Sequence, residues 1–203
     1  MLNRIAKLFG HKAESKPDQV SLAPLALNKA ASGAEDESAL ERREASTRFM
    51  RLLTAHLAKD ERRRLVDMML ASFDTYGNSS AALEEIALGK DGQRIGQWLV
   101  IQCDWKASEE VEWQVAEIAV SFGIPERWRW PPCDEKARTV PGGLCEAADW
   151  AAPLGFEMLH LDLGSDTYFA ILIKREDAES AYQTALSAGL KVLRTPEFKQ
   201  SHA

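Results

Sequence analysis

Two polar residues in an apolar segment have the types and spacing that proton transfer or metal binding requires. His160 and Asp162 alternate with Leu159, Leu161 and Leu163, so in a β-strand both polar side chains lie on one face. A histidine–carboxylate pair can exchange protons near neutral pH or supply two ligands to a metal ion. Two ligands are too few to define a metal site, and a solvated or helix-covered polar face is the alternative interpretation.

A second group of charged residues surrounds the start of a predicted helix. Asp104 and Lys106 follow an apolar segment, and Glu109, Glu110 and Glu112 come soon after. Ligands of α/β sheets often bind beyond strand ends, beside helix N-termini, and three carboxylates there favour a cation or an ammonium group. A solvated helix start is the alternative.

The candidate ligand-binding residues are therefore Asp104, Lys106, His160 and Asp162. We expect the second strand to run antiparallel to the first, and both aspartates come late in their strands. Asp104 and Asp162 should then lie near opposite ends of the sheet, which counts against one joint site.

No recognised catalytic motif accompanies these residues. The sequence contains neither a GxSxG nor an HExxH motif, and its glycine-rich segment 89–96 lacks the GxxxxGK[ST] order of a phosphate loop. The three cysteines are widely spaced and form no CxxC pattern, and only four histidines are present. We therefore predict a chain with no catalytic residue, metal or cofactor.

The tryptophans suggest a different kind of site. All six lie between residues 98 and 150, and Trp128, Arg129 and Trp130 fall in a long segment between a predicted helix and the next strand. Exposed there, these three would anchor a partner protein. The electrostatic rim of this surface would consist of Asp104, Glu109 and Glu112. The alternative is that both rings fold down as core under the guanidinium groups, since long loops without packing of their own are uncommon.

Six predicted elements position these residues. Apolar runs predict strands at 97–104, 159–163, 168–173 and 190–193, and apolar residues at three- and four-residue steps predict helices at 108–122 and 176–187. Strand, helix, strand, strand, helix, strand is the βαββαβ order of a ferredoxin-like sandwich. We therefore expect an α+β protein in which N-terminal helices precede a two-layer ferredoxin-like sandwich.

Composition divides the chain into regions and limits its partners. We predict a flexible leader at 1–37, a helical region at 38–90, the sandwich at 97–195 with an insertion at 124–153, and a tail at 196–203. The 10 basic and 17 acidic residues of 97–203 disfavour nucleic acid and favour a basic protein partner, unless the acidity only aids solubility. No apolar run suits a membrane span or a signal peptide, so we expect a cytoplasmic protein.

Two short segments carry a resemblance. Residues 98–106, WLVIQCDWK, and 110–114, EVEWQ, resemble the central block of a family of uncharacterised bacterial proteins. Those proteins are similar in size and acidity to immunity proteins, which neutralise toxins delivered between bacteria. The resemblance implies a cytosolic inhibitor that docks on a toxic enzyme.

Three functional hypotheses follow. The leading one is a non-catalytic, immunity-like protein-binding module. The second is a small-molecule-binding regulatory domain, which would trap its ligand where two copies of the sandwich pair. The third is a small hydrolase-type enzyme that uses His160 with Asp162 or another carboxylate.

Overall fold

Helices and strands follow one another along the chain nearly as the sequence predicts. The structure is a computed structural model that describes residues 23–132 and 134–202, with side chains from residue 37 onward apart from Lys136. The strands are β1 Val100–Asp104, β2 Phe156–Asp162, β3 Thr167–Lys174 and β4 Lys191–Arg194. The helices are α1 Ala23–Leu53, α2 Lys59–Tyr76, α3 Ser79–Leu88, α4 Glu110–Ser121, α5 Val140–Ala151, α6 Arg175–Ser187 and α7 Thr195–Ser201.

The four strands form one antiparallel sheet in the order β1-β3-β2-β4. In register, Ile171 of β3 lies between Val100 of β1 and Leu159 of β2, and His160 of β2 lies opposite Leu193 of β4. The α+β class and the N-terminal helices are confirmed. The ferredoxin-like order is not confirmed, because β4 pairs with β2.

The position of β4 determines how many layers the fold has. The connection from β1 to β2 passes over β3, and the connection from β3 to β4 passes over β2. Both connections cross the sheet in the same direction. Since β1 and β3 are antiparallel, crossovers of one hand place their connecting helices on opposite faces. Helix α6 packs with Val100 and Ile171, whereas α4 packs with Ile101 and Cys103. The sheet therefore lies between two helical layers, and the prediction of two layers in total is wrong.

Each face of the sheet buries its own apolar cluster. The face that carries Val100 and Ile171, the first face, packs against α1, α2, α3 and α6. The second face, which carries Ile101 and Ala170, packs against α4, α5 and the single buried phenylalanine of α7. The predicted insertion supplies α5, so most of its apolar residues are core.

Two glutamine side chains close the free edge of β1. Gln114 of α4 is fully buried, and its amide accepts from the Gln102 N–H at 2.7 Å and donates to the Gln102 carbonyl at 2.6 Å. Gln93 does the same for Val100, with both distances at 3.0 Å. Each amide takes the place of a neighbouring strand, so the edge has no unpaired backbone group at Val100 or Gln102.

Two terminal regions differ from the predicted boundaries. Residues 1–22 of the predicted leader lie outside the described residues, and α1 begins at Ala23 within that leader. The predicted tail contains α7, because Pro196 occupies its first turn and the Glu197 carboxylate accepts from the Arg194 N–H at 2.9 Å. None of the helices in the described ranges is long and apolar enough to cross a membrane.

Replacing Gln114 tests the closure of the edge. Gln114→Leu keeps the volume but leaves the N–H and the carbonyl of Gln102 unpaired beneath an apolar side chain, so the free energy of unfolding should fall by about 2–4 kcal/mol. Urea denaturation measures the loss. The control is Gln183→Leu on the exposed face of α6, for which we expect the free energy of unfolding to fall by about 0.5 kcal/mol or less. Equal losses in the two variants would show that the Gln114 amide contributes nothing to the edge.

Candidate functional site

One end of the second face is left open and forms a pocket of about 360 Å³, which we call the sheet-end pocket. The ends of β1 and β2, the turn and first residues of β3, one residue of β4 and helix α7 surround it. Its lining residues are Trp105, His160, Leu161, Asp162, Ser165, Asp166, Thr167, Tyr168, Phe169, Leu193, Phe198 and His202. Both members of the predicted histidine–aspartate pair are therefore in the same pocket.

The strand register corrects one expectation about Asp104 and Asp162. Since β1 and β2 both pair antiparallel with β3, they are parallel to each other, and both aspartates lie at the same end of the sheet. The expected placement at opposite ends is wrong. The two aspartates nevertheless lie on different faces. Ile101 and Cys103 are on the second face, so Asp104 lies on the first face with Val100. Neither Asp104 nor Lys106 lines the sheet-end pocket.

Aromatic rings form much of the pocket wall. The imidazole of His160 stacks on the Phe198 ring with 3.8 Å between centroids and an interplanar angle of 2°. The His202 ring lies 4.3 Å from Phe198 and 5.5 Å from Tyr168. Trp105 is exposed, with the Lys106 ammonium 4.7 Å from its ring centroid. Such faces attract cations and flat apolar groups.

His160 is the buried polar group of the pocket. Its side chain is 2% exposed, Nε2 lies 3.2 Å from Thr195 Oγ1, and Nδ1 is buried without a hydrogen-bond partner among the described residues. Burial, followed by the charge of His202, lowers the pKa of His160 from 6.5 to about 3. The imidazole is therefore neutral at physiological pH.

The charged residues that line the pocket are acidic. Asp162 accepts from the Gly164 N–H at 2.9 Å and pairs with Lys191 at 3.3 Å, and both partners of this ion pair are largely exposed. Asp166 is exposed and makes no ion pair within the described part of the chain. Lysine and arginine are absent from the lining residues described above. An exposed ion pair stabilises little, so a bound cation can replace Lys191 at Asp162.

The insertion forms a smaller concavity against α4, the insertion groove, with a volume of about 280 Å³. Trp128 is 4% exposed and belongs to the core, as in the packing alternative. Trp130 is half-buried, and its ring lies so close to Gly143 that a Cβ there would be 2.5 Å from a ring atom. The guanidinium over Trp130 is that of Arg138, at 5.3 Å, and not that of the neighbouring Arg129.

The predicted partner surface is only partly assembled. Arg129 is 71% exposed and pairs with Glu112 at 3.0 Å, and Glu109 lines the same groove. Asp104 does not line this groove. Trp113, which is 43% exposed, also lines this groove. Arginines and glutamates occur together here, so the groove lacks the acidic character of the sheet-end pocket.

The two cysteines that the structure describes, Cys103 and Cys145, are not activated thiols. Burial, with smaller effects from Glu110 and Glu109, raises the pKa of Cys103 to about 12, and burial also raises the pKa of Cys145. Neither thiol is an activated nucleophile. Among the residues that the structure describes, no group of three His, Cys, Asp or Glu side chains is placed to hold a metal ion.

Sequence reasoning missed the residues that α7 and the start of β3 bring to His160. Thr195, Phe198 and His202 fall in or beside the predicted tail, and Tyr168 was predicted only as a strand residue. A signal for α7 was present, because a proline followed by a glutamate is typical of a helix start. No signal placed α7 over β2, since this depends on which strand β4 joins.

Residues 45–196 match the model of a protein family described as a domain of unknown function, DUF6630. Since the match covers most of the chain, the chain belongs to that family. This agrees with the resemblance to an uncharacterised family and leaves its immunity-like part untested. No curated protein and no solved structure gave a significant match.

The low pKa of His160 predicts a pH dependence of stability. In the unfolded chain the imidazole binds a proton near pH 6.5, and in the folded chain only near pH 3. Acidification between these values therefore stabilises the unfolded state, and the loss from pH 7 to pH 5 is about 2 kcal/mol from this group. Urea denaturation of wild type and His160→Phe at pH 7 and pH 5 measures this loss, which should be smaller in the variant. Equal losses in the two proteins would contradict the burial of a neutral His160.

Proposed function

We propose that this member of the DUF6630 family is a non-catalytic binding module whose ligand carries a cationic group on an apolar body. The ligand would bind in the sheet-end pocket. The observation that supports this most is the combination of aromatic walls with Asp162 and Asp166, without a lysine or arginine among the lining residues that the structure describes. Aromatic faces and carboxylates both stabilise a cation, and the apolar walls accept the rest of the ligand.

The size of the pocket agrees with one small ligand or one long side chain. Binding sites for small molecules have volumes of roughly 300–1,000 Å³, and this pocket, at about 360 Å³, lies at the lower end. The pocket therefore suits an amine with one ring or a short chain.

The chemistry of the pocket favours binding over catalysis. A general base is most effective when its pKa is near the working pH, and His160, with a pKa of about 3, is a weak base at pH 7. His160 Nε2 lies within hydrogen-bond distance of the Thr195 hydroxyl, and no carboxylate of the described residues bonds to the imidazole. The hydrolase-type hypothesis built on His160 with Asp162 is thus the least supported of the three.

A protein partner is the second candidate, and the charge of the domain favours it. Residues 97–203 are strongly acidic, so a basic protein is attracted, and one of its lysine or arginine side chains is a suitable occupant of the sheet-end pocket. Arg129 and Trp113 in the insertion groove would supply further exposed contacts. The immunity-like resemblance makes a toxic enzyme the kind of partner that this second candidate implies.

Titration with a matched pair of probes tests the proposed cation site. Phenethylammonium should shift the amide resonances of Tyr168, Phe198 and His202, whereas phenylpropionate, a similar body with a negative charge, should not. Asp162→Asn should weaken binding of the cation about fivefold, through the lost Coulomb attraction.

The control for Asp162→Asn is Asp67→Asn. Asp67 is an exposed aspartate of α2, on the first face, and pairs with Arg63 at 3.7 Å, so the same charge change is made far from the pocket. Binding to this variant should equal that of wild type. Equal shifts with both probes, or none with either, would overturn the cation site.

A further inference from the structure

We propose that Nδ1 of His160 is a hydrogen-bond acceptor for the ligand and selects a planar cation with N–H groups, a guanidinium or amidinium. Quaternary ammonium ions, which have no N–H group, would be disfavoured. This inference rests on the proposed function and adds the chemical class of the ligand.

The tautomer of His160 follows from a short chain of hydrogen bonds. Thr195 Oγ1 lies 3.1 Å from the Met158 carbonyl oxygen and 3.2 Å from His160 Nε2. A carbonyl oxygen only accepts, so the single hydroxyl hydrogen of Thr195 is donated to Met158. Oγ1 must then accept from Nε2–H, and the neutral imidazole keeps a lone pair on Nδ1.

The Nδ1 atom is an unpaired acceptor in a side chain that lines the pocket. It is buried and has no hydrogen-bond partner among the described residues, while the His160 side chain is 98% buried. Buried polar atoms are nearly always paired, and an exception calls for an explanation. A ligand N–H would supply the missing partner.

The orientation of the ring favours a flat donor. The Nδ1 lone pair lies in the imidazole plane, and that plane is fixed by the parallel Phe198 ring at 3.8 Å. Guanidinium and amidinium N–H bonds also lie in one plane, so one such group can donate to His160 and to a carboxylate together. These cations are also weakly hydrated and stack on aromatic faces.

Access to Nδ1 requires a small rearrangement. Because the atom is shielded from water, a donor reaches it only when neighbouring side chains shift. The neighbouring rings are Phe198 of α7, stacked on His160, and His202 directly after α7, tilted against Phe198. Binding should therefore change the resonances of α7 as well as those of His160.

The test compares two probes with the same ring and the same charge. Benzamidine carries a planar amidinium, whereas phenyltrimethylammonium has no N–H. We expect His160→Phe, which keeps a ring stacked on Phe198 but has no acceptor, to weaken binding of benzamidine at least tenfold more than binding of phenyltrimethylammonium. Calorimetric titration measures both affinities.

The matched control is His56→Phe. His56 is also a histidine stacked on a phenylalanine, Phe122, at 3.7 Å, and it does not line the sheet-end pocket. Benzamidine should bind this variant as it binds wild type. If His160→Phe fails to fold, the ¹⁵N spectrum of the wild-type imidazole decides. Nδ1 should resonate as an unprotonated nitrogen and shift on addition of benzamidine, and an unchanged Nδ1 signal would overturn the proposal.

Failure of the inference and failure of the proposed function give different results. If both probes bind and His160→Phe weakens neither, or weakens both equally, the cation site stands and the acceptor role of His160 is overturned. If neither probe binds wild type, the proposed function is overturned together with this inference.

A last comparison distinguishes the two sources of a guanidinium. Ethylguanidine represents a free ligand, and N-acetylarginine methylamide represents an arginine side chain of a partner protein. Binding of the blocked arginine at least as tight as that of ethylguanidine would support a partner's side chain. A tenfold preference for ethylguanidine would support a free small molecule, and rejection of both would contradict guanidinium as the ligand group.

Discussion

The pairing of β4 with β2 is the constraint on which both the layers and the pocket depend. With Leu193 opposite His160, the chain leaves β4 beside the second face, and Thr195 arrives where it can bond to His160 and Met158. Helix α7 then begins at once and places Phe198 on the imidazole. The same pairing sends α6 to the first face, so the sheet has helices on both sides.

A sheet with helices on both faces must also satisfy its edges. At β1 this is done by Gln93 and Gln114, whose amides pair with the backbone of Val100 and Gln102. The closed edge disfavours addition of a partner strand there. Of the two concavities described above, the sheet-end pocket is the more aromatic and the more acidic, so it is the better candidate for binding a ligand or partner.

The sequence was sufficient for the elements and insufficient for their arrangement. Val111, Val115 and Ile118 recur at helical spacing and are buried in α4. Leu144, Ala147, Ala148 and Ala151 show the same spacing in α5, so this helix of the insertion was predictable too. The position of β4 was not, because the pattern of a four-residue strand with one buried side chain is too short to indicate which edge of the sheet it joins.

In the candidate site, too, the sequence indicated single residues but not how the fold brings them together. His160 and Asp162 share a face because they are two residues apart, but Tyr168, Phe198 and His202 join them only through the fold. Backbone nuclear Overhauser effects across β4 test the account most directly. The account predicts contacts of Leu193 with His160 and of Val192 with Leu161. Contacts of β4 with β1, as in the ferredoxin-like order, would contradict it, because α7 could not then cover His160.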